Sequence, residues 1–351
     1  MDLQNFKGRR ILLTGHTGFK GSWLTEMLLD AGAIVSGAAL TPPTDPSLFD
    51  LLGLSERLGP HHHVTDVRDL DALLSVFQKE QPELVIHLAA QPIVRTSYEE
   101  PVYTYETNVM GTVNVLECVR RTPGVRSVLI ITTDKVYENL EDGRAYEEDD
   151  RLDGYDPYSN SKSCAELAVH SYKRSFLDPM GIPVSTARAG NVIGGGDFAR
   201  DRILPDCVRS AEKGVPILVR NPYSTRPYQH VLEPLTVYLK ILSAQEEEKG
   251  YAGYYNVGPD DGDCLETGHM AELFCNFWGD GLTWTDGSMG NGPHEANFLK
   301  LSNRKVRETF GWKPVWNVEE AVRRTVAWAK AADKKACTKA QIRDFLEKSP
   351  L

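Results

Sequence analysis

Two short clusters in this chain hold side chains that can do chemistry together: Thr133-Asp134-Lys135, and Tyr158 with Lys162. Positions four apart on a helix share a face, so Lys162 lies beside Tyr158. An ammonium there favours the phenolate and lowers the phenol's pKa from its ordinary value of about 10 toward working pH. Such a phenolate can take the proton of a hydroxyl while the carbinol carbon gives up a hydride. Thr133 adds a hydrogen-bonding hydroxyl. Asp134 and Lys135 are spare titratable groups that a simple alcohol oxidation does not need, and they suit an elimination. A Tyr-x-x-x-Lys spacing is common on helices. Its weight here comes from its place about 25 residues after the Thr133 strand end.

The elements that must position these groups alternate along the first half of the chain. Ile11–Thr14 reads as a strand and Ser22–Asp30 as the next helix. Ala33–Ala39 is a second strand, and His63-Val64-Thr65 ends a short third one. Leu84–Leu88 and Val128–Thr132 are continuous apolar runs, as expected of strands covered on both faces. Helical stretches come after them near 98–121 and 157–175. This alternation predicts an α/β fold with a parallel, doubly wound sheet. After about residue 190 the pattern breaks at Gly194-Gly195-Gly196 and several prolines. The expected division is a dinucleotide-binding domain over 1–190, a smaller, mainly substrate-binding domain over 191–330, and a helical tail over 331–351. Segments near 228–260 return to the first domain: Val237–Ile241 as a helix and Tyr254–Val257 as a strand.

Gly15-His16-Thr17-Gly18-Phe19-Lys20-Gly21 joins the first strand to the first helix. Glycines at this spacing let the backbone approach a diphosphate at a helix N-terminus, where free N–H groups and the helix dipole favour anions. The acidic residue often found about 20 positions on, at the end of the second strand, is absent. Ala38-Ala39-Leu40-Thr41-Pro42-Pro43 offers neither a carboxylate nor an arginine, so the residues leave NAD and NADP both open. Lys20 either enters the site or points to solvent. Asp66 is a partner for an adenine amine or an N-cap for a helix over 68–79.

Several further pieces occur in order along nearly the whole chain. They are His87-Leu88-Ala89-Ala90-Gln91, Asn108, Thr132 before the reactive triplet, and Arg188-Ala189-Gly190-Asn191-Val192-Ile193-Gly194. With the glycine loop, Tyr158 and Lys162, they make the chain resemble the extended short-chain dehydrogenase/reductase family. Its members that dehydrate CDP-glucose are similar at Gly15–Leu24, Asp134–Asn139, Gly195–Arg202, Arg226–Val231 and His294-Glu295-Ala296.

The resemblance implies a Rossmann-type sheet with a smaller C-terminal substrate-binding domain. It implies NAD as cofactor, held by Gly15, Thr17, Gly18, Phe19, Lys20, Gly21, Asp66, Val67, Leu88, Ala89, Ala90, Gln91, Asn108, Thr132, Tyr158, Lys162 and Arg188. The implied reaction oxidises C4 of a CDP-hexose, expels water across C5–C6 and returns the hydride to C6. Tyr158 would take the 4-hydroxyl proton, Thr133 would hold the C4 oxygen, and Asp134 would be the acid for the C6 hydroxyl. Related dehydratases usually carry Glu at the position of Lys135. A lysine accepts a proton only as a neutral amine, so Lys135 is the C5 base, the group that holds Asp134, or a stabiliser of the enolate; a direct role is favoured. The helices near 98–121 and 157–175 resemble those that pair two subunits in a four-helix bundle, which implies a homodimer.

A sugar diphosphate needs local cations. Arg202 and Arg226 suit it because a guanidinium binds phosphate oxygens bidentately. Asn191, Gln229 and His230 are candidates to complete the substrate site. Tyr228 either stacks on the base or packs in the interior, and Arg202 could instead pair with Asp201 or Asp206. The competing functions are a nucleotide-sugar 4-epimerase or reductase, which does not need the Asp134-Lys135 pair, and a non-catalytic dinucleotide sensor.

Bulk properties narrow the class. The formal net charge of −10 argues against a general nucleic-acid or anionic-membrane surface. No run of 18 apolar residues suggests a membrane span, and Met1–Arg10 has no apolar signal core. The six cysteines (118, 164, 207, 264, 275 and 337) form no Cys-x-x-Cys pair, which fits a reduced cytoplasm. His61-His62-His63 suggests a metal at first sight, but neighbours on a strand point to opposite faces, and no metal site is expected.

Overall fold

The computed structural model describes residues 3–288 and 298–349. The strands are β1 (Arg10–Thr14), β2 (Ile34–Ala39), β3 (His62–Val64), β4 (Leu84–His87), β5 (Ser127–Thr133), β6 (Val184–Ala189), β7 (Asn191–Ile193), β8 (Ile217–Val219), β9 (Thr225–His230), β10 (Tyr254–Val257), β11 (Cys264–Glu266) and β12 (Trp284–Asp286). Seven form one parallel sheet in the order β10-β6-β5-β4-β1-β2-β3. The chain runs outward from β1 to β3, then returns to β4 on the other side of β1. In an open parallel sheet a ligand crevice opens at such a reversal, beyond the carboxyl ends of the strands.

Alternate residues of the strands feed two cores, as the pleat requires. Ile11, Leu13, Ile86, Leu129 and Ile131 pack on one face with Trp23, Leu24, Leu235 and Leu239. Leu12, Val85, Val128 and Ile130 pack on the other with Phe77, Val115 and Leu116. Both faces are therefore dry, which explains why these strands read as unbroken apolar runs. The helix Leu232–Glu247 covers the first face, and β10 extends the sheet beside β6.

The expected long helix near 98–121 is broken. Helices Val94–Glu99 and Pro101–Tyr105 come first, then a wide turn at Glu106–Met110 and the helix Gly111–Arg121. Pro101 is the cause of the first break: it has no N–H to continue the preceding helix, yet fits the first turn of the next. The helix Pro157–Tyr172 starts as its sequence suggests. Asp156 accepts from Ser159 N at 3.0 Å, and Pro157 opens the first turn.

The remaining strands form two small sheets, β11-β9-β7 and β12-β8. Ile217, Val219, Met270, Phe274 and Val322 give this part its own core. The tail contains the helix Lys334–Lys348, whose Phe345 packs edge-on against Trp316. His62 and His63, neighbours on β3, divide as the pleat dictates: His62 bonds His16 and His63 bonds Glu80, which His61, in the turn before the strand, also bonds.

Candidate active site

A cleft of about 2040 Å³ is lined by residues at the ends of β1 to β6, and closed from the other side by Asn191, Arg202, Arg226 and Tyr228. Gly15 has φ +73°, and a Cβ there would lie 2.6 Å from Ala89 N, so glycine is what lets the loop after β1 sit against the strand end of β4. Gly18 caps the helix Phe19–Asp30 without any side-chain bond. The first N–H groups of this helix stay available to an anion at the crevice. That is the fit a dinucleotide's diphosphate requires. Thr17 is tied locally, donating to Leu40 O at 2.9 Å.

The reactive groups meet at the end of β5. Thr133 Oγ1 donates to Asp134 Oδ1 at 2.9 Å, and Lys135 Nζ reaches the same oxygen at 3.1 Å. Lys135 Nζ also lies 3.4 Å from Asn191 Oδ1. Asp134 is fully buried, and its Oδ2 has no hydrogen-bond partner among the described residues. A Cβ on Gly190 would come 2.6 Å from Pro227 Cγ and 3.1 Å from Asp134 Oδ2, so glycine there keeps room for the carboxylate.

Tyr158 is buried and lines the cleft together with Thr133. The expected lowering of its pKa is not realised in the ligand-free protein. Burial pushes the phenol up to about 12, Asp134 adds to the rise, and Thr133 and Arg202 oppose it. Lys162 is itself pushed down to about 8 by burial, against the pull of Glu166, and its ammonium donates to Ile131 O at 3.2 Å.

Behind the cleft lies a saturated ion pair that reasoning from the sequence missed. Glu166 is four residues beyond Lys162 on the same helix face. Its carboxylate accepts from Thr132 Oγ1, Thr186 Oγ1, and Arg188 Nε and Nη2 at 2.5 to 3.0 Å. Burial alone would raise its pKa, but Arg188 and the hydrogen bonds hold it well below the usual carboxylate range. The second four-residue step in Tyr158-Lys162-Glu166 was the signal that could have revealed it.

Arg188, expected among the cofactor residues, is fully buried and committed to Glu166, Tyr137 Oη and Glu148 O. It stays outside the cleft lining because a desolvated guanidinium must keep its partners. Asn108 also lies outside. Its Nδ2 donates to Gln91 O and Ser161 Oγ, and its Oδ1 accepts from Gln91 N, so it ties the wall residue Gln91 to the Tyr158 helix. Gln229 and His230, expected at the substrate, are buried away from the cleft. Gln229 donates to Val257 O, while His230 stands edge-on to Trp23 and Trp316. The physical reason is that β9 passes from the cleft wall into the interior after Tyr228, so its last two side chains meet core partners.

Gly15, Thr17, Gly18, Phe19, Lys20, Gly21, Asp66, Val67, Leu88, Ala89, Ala90, Gln91 and Thr132 line the cleft, as do all five reactive residues. Asp66 is held by Arg68, and the helix Leu70–Glu80 takes Asp69 as its N-cap instead. Arg202 pairs with Asp197 at 2.9 Å, while Asp201 and Asp206 both bind Arg220. Tyr228 is buried and bonds Thr267. His294-Glu295-Ala296 lies outside the described residues.

An open parallel sheet with a glycine-lined helix N-terminus and a Tyr/Lys pair at its strand ends defines a dinucleotide-linked enzyme acting on a hydroxyl. The chain belongs to the NAD dependent epimerase/dehydratase family, whose pattern it matches over residues 11–258. It is 44% identical to the CDP-glucose 4,6-dehydratase of Salmonella typhimurium, over 99% of this chain and 98% of the relative. It is 24% identical to the CDP-paratose 2-epimerase of Salmonella typhi, over 91% and 98%. Among solved structures, the UDP-glucose 4-epimerase of Thermus thermophilus in complex with NAD superposes with a TM-score of 0.77 at 25% identity, over 92% of this chain and 99% of that one.

Proposed function

We propose that the protein converts CDP-glucose to CDP-4-keto-6-deoxyglucose and water, with NAD as a cofactor that is regenerated in each cycle. The observation that carries the reading is the Asp134 carboxylate: buried, held on one oxygen by Thr133 and Lys135, and open on the other, in the cleft that contains Tyr158. A 4-epimerase needs Tyr158 and Lys162 but has no use for that acid. The 44% identity to a CDP-glucose 4,6-dehydratase supports the choice of base and sugar.

NAD would be held along the glycine loop Gly15–Gly21, where it would supply reversible hydride chemistry. The protein's own groups move the protons. Tyr158 takes the 4-hydroxyl proton, and Thr133 holds the C4 oxygen against it. The Lys162 ammonium supplies the positive charge that stabilises Tyr158 as the phenolate, the form that must be present before it accepts this proton and becomes the phenol. The new 4-ketone acidifies the C5 hydrogen. Asp134 gives a proton from Oδ2 to the C6 hydroxyl as the C–O bond breaks. Lys135 takes the C5 proton or fixes Asp134 for its task. A proton then returns to C5, so C4 ends oxidised, C6 reduced, and one water is lost. Asn191, Arg202 and Arg226 bind the diphosphate and the sugar.

The same reading divides the chain into a dinucleotide-binding part (1–190) and a mainly substrate-binding part (191–330). It also makes the protein a cytoplasmic homodimer. The dimer is supported by an exposed apolar groove of about 460 Å³ lined by Pro101, Val102, Tyr105, Val109 and Met110, next to Cys164 of the Tyr158 helix. The cytoplasm is supported by six unpaired cysteines; among the described residues no helix is long and apolar enough to cross a membrane.

The deciding experiment incubates the purified protein with NAD and, separately, the glucose esters of CDP, UDP, dTDP and GDP. Loss of one water from CDP-glucose, with a 4-keto product that absorbs in alkali, is expected. An epimerised sugar of unchanged mass would replace this reading with the epimerase.

A further inference from the structure

The glycine run that ends the strand–helix alternation, Gly194-Gly195-Gly196, is gripped by two tryptophans that take no part in the dehydration. The run leads from β7 toward Arg202 at the cleft. Trp23, buried on the helix Phe19–Asp30, donates its indole N–H to Gly195 O at 2.9 Å, across 172 positions of sequence. Gly195 also lies against the buried indole of Trp328, on the helix Val318–Lys330. A Cβ on Gly195 would stand 2.0 Å from Trp328 Cγ, so only glycine passes there. Gly196, with φ +84°, meets Leu48 in the same way: a Cβ would stand 2.6 Å from Leu48 Cδ1. Beyond the glycines, Phe198 stands edge-on to Trp328, with ring centroids 6.1 Å apart. Asp197 accepts from Ala199 N at 3.1 Å on one oxygen and from Arg202 Nη1 at 2.9 Å on the other. An unbroken series of contacts therefore runs from the helix that opens at the cofactor crevice to the guanidinium at the substrate side. Neither tryptophan lines the cleft.

We propose that Trp23 and Trp328 are positioning residues: they clamp the Gly194–Gly196 strap, so that Arg202 is held at a set place relative to the cofactor helix before a sugar nucleotide arrives. This rests on the nucleotide-sugar reading, in which Arg202 binds the diphosphate, and deepens it. Consecutive glycines have more conformational freedom to lose than any other sequence. An arginine at the end of a free glycine strap would be ordered only on binding, and that cost would be taken from affinity. The clamp meets the cost during folding.

The test is a double-mutant cycle on CDP binding, read by calorimetry with the full-length protein saturated in NAD⁺. Trp23→Phe removes the indole N–H and is expected to weaken CDP about 3- to 10-fold, the range for one neutral hydrogen bond. NAD⁺ affinity should stay within about twofold of the parent. Arg202→Met is expected to weaken CDP about 10- to 100-fold, the range for a lost charge-assisted bond. In the Arg202→Met background, Trp23→Phe should cost no further affinity, because the clamp acts through that arginine. A tryptophan that only fills the interior would cost the same factor in both backgrounds. That additivity, an equal loss of NAD⁺ affinity, or CDP binding unchanged by either substitution would overturn the proposal and leave the dehydratase standing. Parent protein that does not bind CDP would overturn the nucleotide-sugar reading as well. Should Trp23→Phe not fold, Trp328→Phe, which trims the ring against Gly195, decides by the same cycle.

Discussion

Two buried carboxylates flank the last residues of β5, one on each side, and they are built for opposite purposes. Thr132 turns toward Glu166, and Thr133 toward Asp134. Glu166 receives four hydrogen bonds, two of them from Arg188, and has no capacity left over. Asp134 is equally buried but keeps Oδ2 open. A saturated carboxylate fixes geometry, because losing any partner leaves a desolvated charge. A half-satisfied one stores the capacity to give or take a proton. Burial alone therefore does not mark a candidate acid, nor does an unpaired oxygen alone, since Glu233 Oε2 is also buried and unpaired; what sets Asp134 apart is that its unpaired oxygen belongs to a residue lining the cleft.

The largest effect expected on the open side comes from Tyr158→Phe. With the proton acceptor gone, oxidation at C4 should fall by about 10³- to 10⁴-fold, the upper part of the range for acid–base catalysis, with the fold unchanged. Single-turnover hydride transfer from CDP-glucose to NAD⁺ measures it, and near-parental transfer in the variant would remove Tyr158 from its role.

On the saturated side, Glu166→Gln leaves Arg188 buried without its counter-charge and should cost about 3–5 kcal/mol of stability. The midpoint of urea unfolding reports this. An unchanged midpoint would mean that the contrast between the two carboxylates is not real.

Asp134→Asn should do the reverse. Stability is retained, C4 oxidation persists, and water loss slows about 10²- to 10³-fold, so hydrogen exchange at C5 and a reduced cofactor become visible. Elimination at the parental rate would show that the acid lies elsewhere.

The smallest effect is a pH dependence of stability in the ligand-free protein. Burial holds folded Lys162 at about 8, whereas an unfolded lysine sits near 10.5. Below pH 8 both states carry the proton and the folded state bears the full cost of burying it. From pH 8 to about 10.5 only the unfolded state keeps the proton, so stability should rise, by at most about 3 kcal/mol. Lys162→Met should flatten that rise in thermal melts taken across this range; a slope identical to the parent's would reject the assignment.

Much of this arrangement is legible in the one-dimensional sequence because it depends on short-range rules. Apolar runs of strand length, the glycine spacing after β1, and the helix period near 157–175 each act within a few residues. They locate β1, β4, β5 and β10 to within a residue or two and bring Tyr158 and Lys162 onto one face. The errors have physical causes as well. Pro101 divides a helix that periodicity alone would continue. Arg188 and His230 carry the right chemistry for ligand contacts, but Glu166 holds the first inward and the flanking tryptophans enclose the second. Arg202 takes Asp197 rather than its sequence neighbours because the loop folds back on itself.

The sequence by itself determined which groups are present and in what order along the sheet, since propensity, pleat and helix period are local properties. Only the tertiary structure decided which carboxylate is saturated and how far burial moves the phenol and Lys162. Those outcomes depend on desolvation and on partners distant in the chain, such as Asn191 beside Lys135, 56 residues apart, and no local pattern encodes them.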